Sequence, residues 1–196
     1  MRKVDRRLLA LFAEALDYPE DGIAETAREC EQAARDDAPV AVVPLAEFAA
    51  FVAERPLGEL QELYTAAFDL DTLSDLDATC YPYVGHHLFG ESHKRSAFLV
   101  GLAERFRAHG FTVERELPDH LVVLLRFAAA CPDEELVGEL VDEALLPALE
   151  RMTGGAEAIE GPQSRRVYLQ VLLGLRLTLE AAEQAHAPPL PAGGRA

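Results

Sequence analysis

Apolar residues recur every three or four positions along almost the whole chain, and this period restricts the fold more than any other feature. Leu57, Leu60, Leu63, Tyr64, Ala67 and Phe68 form one stripe at the 3.6-residue repeat of an amphipathic helix. Leu8, Leu9, Leu11, Phe12, Ala15 and Leu16 form another, ended by Asp17-Tyr18-Pro19 because the residue before proline avoids helical dihedrals. A weaker pattern runs from Asp21 to Arg35, and a third helix is expected to start at Pro44, a residue suited to a first turn. Near the C-terminus, Ser164 to Gln184 carries Val167, Leu169, Val171, Leu172, Leu173, Leu175, Leu177 and Leu179 around most of its circumference. A helix apolar on all sides belongs in the middle of a bundle. No segment alternates as a strand does, so the fold is predicted to be all-α, a single irregular bundle of about eight helices.

The breaks in the pattern carry as much information. Thr72 to Glu91 shows no regular repeat, and a stretch of that length inside a compact domain is usually functional. Its Tyr81, Tyr83 and Phe89 imply that it packs. The fifth predicted helix starts at Ser92, a possible N-cap, and stops at His109-Gly110. A linker, Thr112 to Glu116, leads to the sixth, from Pro118 or Asp119 to Ala130. Cys131-Pro132-Asp133-Glu134-Glu135 reads as a helix start with proline in the first turn, and that seventh helix should kink at Pro147. Gly154-Gly155 and Gly161-Pro162 bracket a loop. Residues 1–186 are read as one helical domain and residues 187–196, rich in Pro and Gly, as a disordered tail.

Charge and motifs exclude several functions. Asp plus Glu number 34 against 18 Lys plus Arg, a formal charge of −16, which opposes binding to nucleic acid or anionic lipid and favours a basic partner. Cys30, Cys80 and Cys131 form no CxxC pair, so neither a disulfide framework nor a zinc ribbon is indicated, and a reducing, cytoplasmic location is expected. Met1 to Arg7 passes directly into an amphipathic pattern, unlike a signal peptide, and no stretch is apolar enough to span a bilayer. Nucleotide-binding glycine motifs, HExxH and GxSxG are absent, and Asp71, Asp75 and Asp77 lack the spacing of a calcium loop.

Two constellations remain. Cys80, Tyr81, Tyr83, His86, His87, Glu91 and His93 include possible zinc ligands and acid/base groups, but the spacing matches no zinc signature. They fit a packed plug with histidines at its rim, or a peptide-binding surface. Glu114 to His120 lies between the fifth and sixth predicted helices. There Asp119 is expected to cap free amide donors, Pro118 to fix the chain entry, and His120 to titrate near neutral pH beside Glu116 and Asp119.

Glu116-Leu117-Pro118-Asp119-His120 followed by Leu121 to Ala128 resembles the E-L-P-D-[HY]-L segment of the NarJ, or nitrate reductase delta chain, chaperones, whose relatives TorD and DmsD have a similar hinge. Tyr64 to Leu70, Gly90 to Arg95, Phe106 to Phe111 and the opening Leu8 to Pro19 are similar to further family segments in the same order, over roughly residues 5–130. The position of Pro118 favours the nitrate reductase branch, while the block from Tyr81 to Phe89 departs from its commonest form and leaves the client open.

The resemblance implies a non-enzymatic cytoplasmic chaperone without a resident cofactor or metal. Such a protein binds the apo catalytic subunit of a molybdopterin oxidoreductase through a basic, apolar N-terminal or twin-arginine leader segment, until cofactor insertion and before export or membrane docking. It would be a monomer or a helix-exchanged dimer. On this reading Tyr64, Phe68, Tyr81, Tyr83, His86, His87 and Phe89 line the client groove, and Glu116, Pro118, Asp119 and His120 form a hinge. The alternatives are a helical scaffold for another client, or a small metal-dependent hydrolase using His86, His87, Glu91, Asp119 and His120.

Overall fold

The helix with the most continuous apolar surface is the axis of the molecule. In the computed structural model, which describes residues 5–68, 81–113, 115–154 and 163–184, that helix is α10 (Gln163–Gln184). It buries Val167, Tyr168, Val171, Leu172, Leu175 and Leu179. Around it pack α3 (Val42–Ala53), α4 (Leu57–Phe68), α9 (Leu146–Thr153) and a single 3-10 turn at Pro39–Ala41. At Gly174 a Cβ would lie 2.7 Å from Leu45 Cδ2, so the Leu45 side chain packs directly on α10 because residue 174 has no side chain.

A second layer joins α1 (Arg6–Ala15), α2 (Ile23–Asp37) and α7 (Leu121–Ala130). Asp5 caps α1 by accepting from the Arg7 amide at 2.9 Å. The α1 residues expected on the apolar face, Leu8, Leu9, Leu11, Phe12 and Ala15, are all buried. α2 is entered through Gly22 at φ +100°, a conformation that favours glycine. In α7 the run from Leu121 to Leu125, with Phe127 and Ala128, is buried.

The helical pattern continues through α5 (Val84–Phe89), α6 (His93–Ala108) and α8 (Glu134–Leu140), with no strand among the described residues. Four local expectations need revision. The irregular stretch Thr72–Glu91 contains α5, too short for its periodicity to register. Ser92 occupies the N-cap of α6, but its hydroxyl donates back to the Phe89 carbonyl at 2.9 Å and caps no amide. Pro132 lies before the N-cap of α8. That cap is Asp133, whose carboxylate accepts from the Glu135 and Leu136 amides, both at 3.1 Å. The break near Pro147 is a π-helical turn over Val141–Leu145, which ends the preceding helix before the proline and lets Pro147 enter the first turn of α9.

The end of α6 matches its sequence signal. Gly110 has φ +67°, Phe111 donates to the Phe106 carbonyl at 2.9 Å and Gly110 to that of Arg107 at 3.2 Å, which is a Schellman closure. The Phe106 and Phe111 rings, 5.2 Å apart, supply its hydrophobic contact. Cys30 and Cys131 are free and buried, and burial pushes the Cys30 thiol up to about 12. No described helix is long and apolar enough to cross a membrane. Cys80, the acidic run Asp71 to Asp77, most of the loop bracketed by glycines and the tail 187–196 lie outside the described residues.

Candidate functional site

Pro118 determines how the chain enters α7. It occupies the second position of a turn closed by the His120 amide donating to the Leu117 carbonyl at 3.0 Å. The turn presents its backbone to residues 82–84: Val84 donates to the Asp119 carbonyl at 2.8 Å and Leu121 to the Pro82 carbonyl at 2.7 Å. Tyr83 and His120 thus form an isolated antiparallel bridge. The junction joins α5 to α7 although the two are remote in sequence.

Asp119 does not cap α7. Its side chain is fully buried and accepts from Arg95 Nε at 3.0 Å. Arg95 also donates to Glu91 at 3.1 Å and stands 5.6 Å over the Tyr83 ring. Burial disfavours the Arg95 charge, but the hydrogen bond to Asp119 and the negative charges of Asp119 and Glu91 together outweigh it, and the guanidinium is held more strongly protonated. The carboxylate fits because residue 85 is glycine: a Cβ there would lie 2.6 Å from Asp119 Oδ2. His120 takes the N-cap position without a side-chain cap. Its expected titration is displaced downward, because burial pushes it below its ordinary value against the opposing pull of Glu116, Asp17 and Asp119. Asp119 Oδ1, His120 Nδ1 and His86 Nδ1 are buried without a hydrogen-bond partner among the described residues.

The aromatic residues surround this pair. The Tyr83 hydroxyl donates to Glu116 at 3.0 Å, and burial followed by that carboxylate pushes its pKa up to about 12. Tyr81 packs on Tyr83 and His86, with ring centroids 5.2 and 4.4 Å apart. His87 Nε2 hydrogen-bonds the Tyr81 carbonyl at 2.7 Å, its pKa lowered by burial, and Arg151 donates to the His87 carbonyl. Among the described residues no three His, Cys, Asp or Glu side chains are grouped so that they would hold a metal ion.

The seven residues expected in one groove fall in three places. Tyr81, Tyr83, His86 and His87 are at the junction. Tyr64 and Phe68 belong to an aromatic cluster with Tyr168, which lies 5.5 and 4.9 Å from them. Phe89 stacks on Phe98 at 5.5 Å beside a recess of about 180 Å³ shared with Leu102, Phe127 and Leu140. Tyr64 links the first two sites: Tyr18 meets it edge-on at 5.5 Å, and burial together with Asp17 and Glu116 raises its pKa.

The larger opening is a groove of about 610 Å³ between the end of α1, residues 111–113 and 115–116, and α7, with Asp17, Tyr18, Glu116 and Arg126 in its walls. Arg126 pairs with Asp17 across it. The sequence assigned no site role to Arg95, Arg126 or Asp17, the last being read only as part of a helix end. Arg126 did carry a signal, being the single charge in the otherwise apolar run Leu121 to Ala130. Arg95 lies in the family-like segment Gly90 to Arg95, and nothing near it in sequence reveals its pairing with Asp119.

Residues 31–152 match the family model described as nitrate reductase delta subunit. The nitrate reductase molybdenum cofactor assembly chaperone NarJ of Escherichia coli K12 is 34% identical over 92 residues, 46% of this chain and 36% of NarJ. The probable nitrate reductase molybdenum cofactor assembly chaperone NarW of the same organism is 25% identical over 157 residues, 80% of this chain and 63% of NarW. The matches thus span about a third of NarJ and under two thirds of NarW. A crystal structure of a protein assigned as a redox enzyme maturation protein from Archaeoglobus fulgidus superposes with a TM-score of 0.57 at 22% identity, over 89% of this chain and 93% of the other, a likeness of fold. The chain belongs to the nitrate reductase delta subunit family.

Proposed function

We propose that this protein is an assembly chaperone for a molybdenum-cofactor oxidoreductase of the nitrate reductase type. It binds the unfinished catalytic subunit through a basic, apolar N-terminal segment and holds it until the cofactor is inserted. It performs no catalysis itself and acts in the cytoplasm, before the client is exported or docked at the membrane. The observation that carries this reading is the family match over residues 31–152, a range that includes the junction and most of both recesses.

The physical properties support it. A formal charge of −16 attracts a basic segment and chiefly raises the encounter rate. The exposed aromatic and apolar walls supply the burial that holds the complex, at about 25 cal/mol per Å². Release after maturation calls for reversible binding in the micromolar range, about 8 kcal/mol. The test is affinity capture of the tagged chain from native extract, with the prey identified by mass spectrometry. A molybdoenzyme catalytic subunit lacking cofactor is the expected prey. Its consistent absence, with another helical protein in its place, would transfer the reading to a general scaffold.

A further inference from the structure

We propose that Arg126 is a built-in stand-in for a cationic side chain of the client, and that the client cation enters by displacing Arg126 from Asp17. The inference rests on the chaperone reading and adds to it a docking point and a chemical class of contact, a guanidinium or ammonium group.

The groove of about 610 Å³ continues into a recess of about 300 Å³, the two sharing Asp17, Tyr18, Glu20 and Arg126. Five carboxylates line them (Glu14, Asp17, Glu20, Asp21 and Glu116) against two guanidinium groups, Arg115 and Arg126. The surplus of negative charge sits beside an apolar floor of Phe111, Val113 and Val123. That combination matches a segment that is positive and oily. One cation is already seated in it: Arg126, on the rim of α7, reaches Asp17 at the end of α1. Both side chains are about half exposed, so the pair is screened by water and contributes little to stability. Exchange of one guanidinium for another therefore meets a low barrier. Tyr18, 49% exposed in the wall that both recesses share, offers an aromatic face to whichever cation is present.

A short synthetic amphipathic peptide with paired arginines, and the same peptide with citrulline in their place, test the idea by calorimetry on the full chain. Arg126→Gln is expected to bind the arginine peptide about twofold to fivefold more tightly than the unaltered protein, the range set by an exposed ion pair. Asp17→Asn is expected to weaken it by a similar factor and to reduce the preference for arginine over citrulline. Both variants should keep the helical circular dichroism spectrum, since both positions are exposed. If the unaltered protein binds the arginine peptide but Arg126→Gln leaves the affinity unchanged or lowers it, the displacement idea is overturned and the chaperone reading stands. Equal binding of the arginine and citrulline peptides overturns it as well. Binding of neither peptide to any form overturns both.

Discussion

Replacing Asp119 by alanine should destabilise the protein by about 3 kcal/mol, mostly through the charge left behind. Asp119 is fully buried and the Arg95 side chain is 11% exposed, so neither charge is well solvated. Removing one member of a buried pair typically costs about 3–5 kcal/mol, because the other is stranded in a low-dielectric site. The low end applies because Glu91, on the surface, still holds a second nitrogen of Arg95 at 3.1 Å. Against a total stability of about 5–15 kcal/mol this is a large loss. Asp119→Asn keeps an oxygen facing Arg95 Nε and should cost about 1–2 kcal/mol. Arg95→Met combined with Asp119→Ala should be more stable than Asp119→Ala alone, since no charge is then stranded. Urea denaturation followed by circular dichroism at neutral pH measures these three and Arg95→Met alone, with an unchanged m-value marking a true stability effect. A loss below about 1 kcal/mol for Asp119→Ala, or a double variant that simply adds the two single losses, would refute the buried-pair argument. Maturation assays on an Asp119→Ala, His120→Ala double variant are to be read beside the same melt.

Three further outcomes are expected. His87 and His120 are held below the ordinary histidine value by burial, so the unfolded chain binds protons that the folded chain refuses. Stability should therefore be full above about pH 6.5 and fall as pH drops through the window below it, by at most about 1.4 kcal/mol per pH unit for each histidine. Urea melts across that range should show the slope, and His87→Gln should flatten it. Gly174→Ala places a methyl group 2.7 Å from Leu45 Cδ2 and should cost about 1–3 kcal/mol by overpacking, measured as a fall in the urea midpoint. Asp133→Ala removes a cap from two amides and should cost about 1 kcal/mol, whereas Ser92→Ala, at a cap position whose hydroxyl serves no amide, should stay within about 0.5 kcal/mol by the same melt.

Much of the fold is local and could be read without coordinates. Leu8 to Leu16, Leu57 to Phe68 and Ser164 to Gln184 became helices because a 3.6-residue stripe has one good way to leave water. His109-Gly110-Phe111 ended a helix because the left-handed position there suits glycine. The site was legible only as residue types. Asp119 illustrates why. Next to a helix start an aspartate is ordinarily a cap, and nothing in residues 116–120 reveals an arginine 24 positions earlier or a glycine at residue 85 whose missing Cβ makes room for the carboxylate. Tyr64 and Phe68 read equally well as groove or core, and their position against Tyr168 depends on how α10 packs.

What the sequence determined alone was therefore the helical class, the order of most elements, the acidic charge and the family segments around Pro118, since each depends on neighbours within a few turns or on a sum over the chain. Tertiary structure decided which ionisable groups lose their water. It buried Asp119 against Arg95, lowered His87 and His120, and left Arg126 paired with Asp17 across an open groove. Burial and charge pairing depend on distances between residues far apart along the chain, and those distances exist only once the helices have packed.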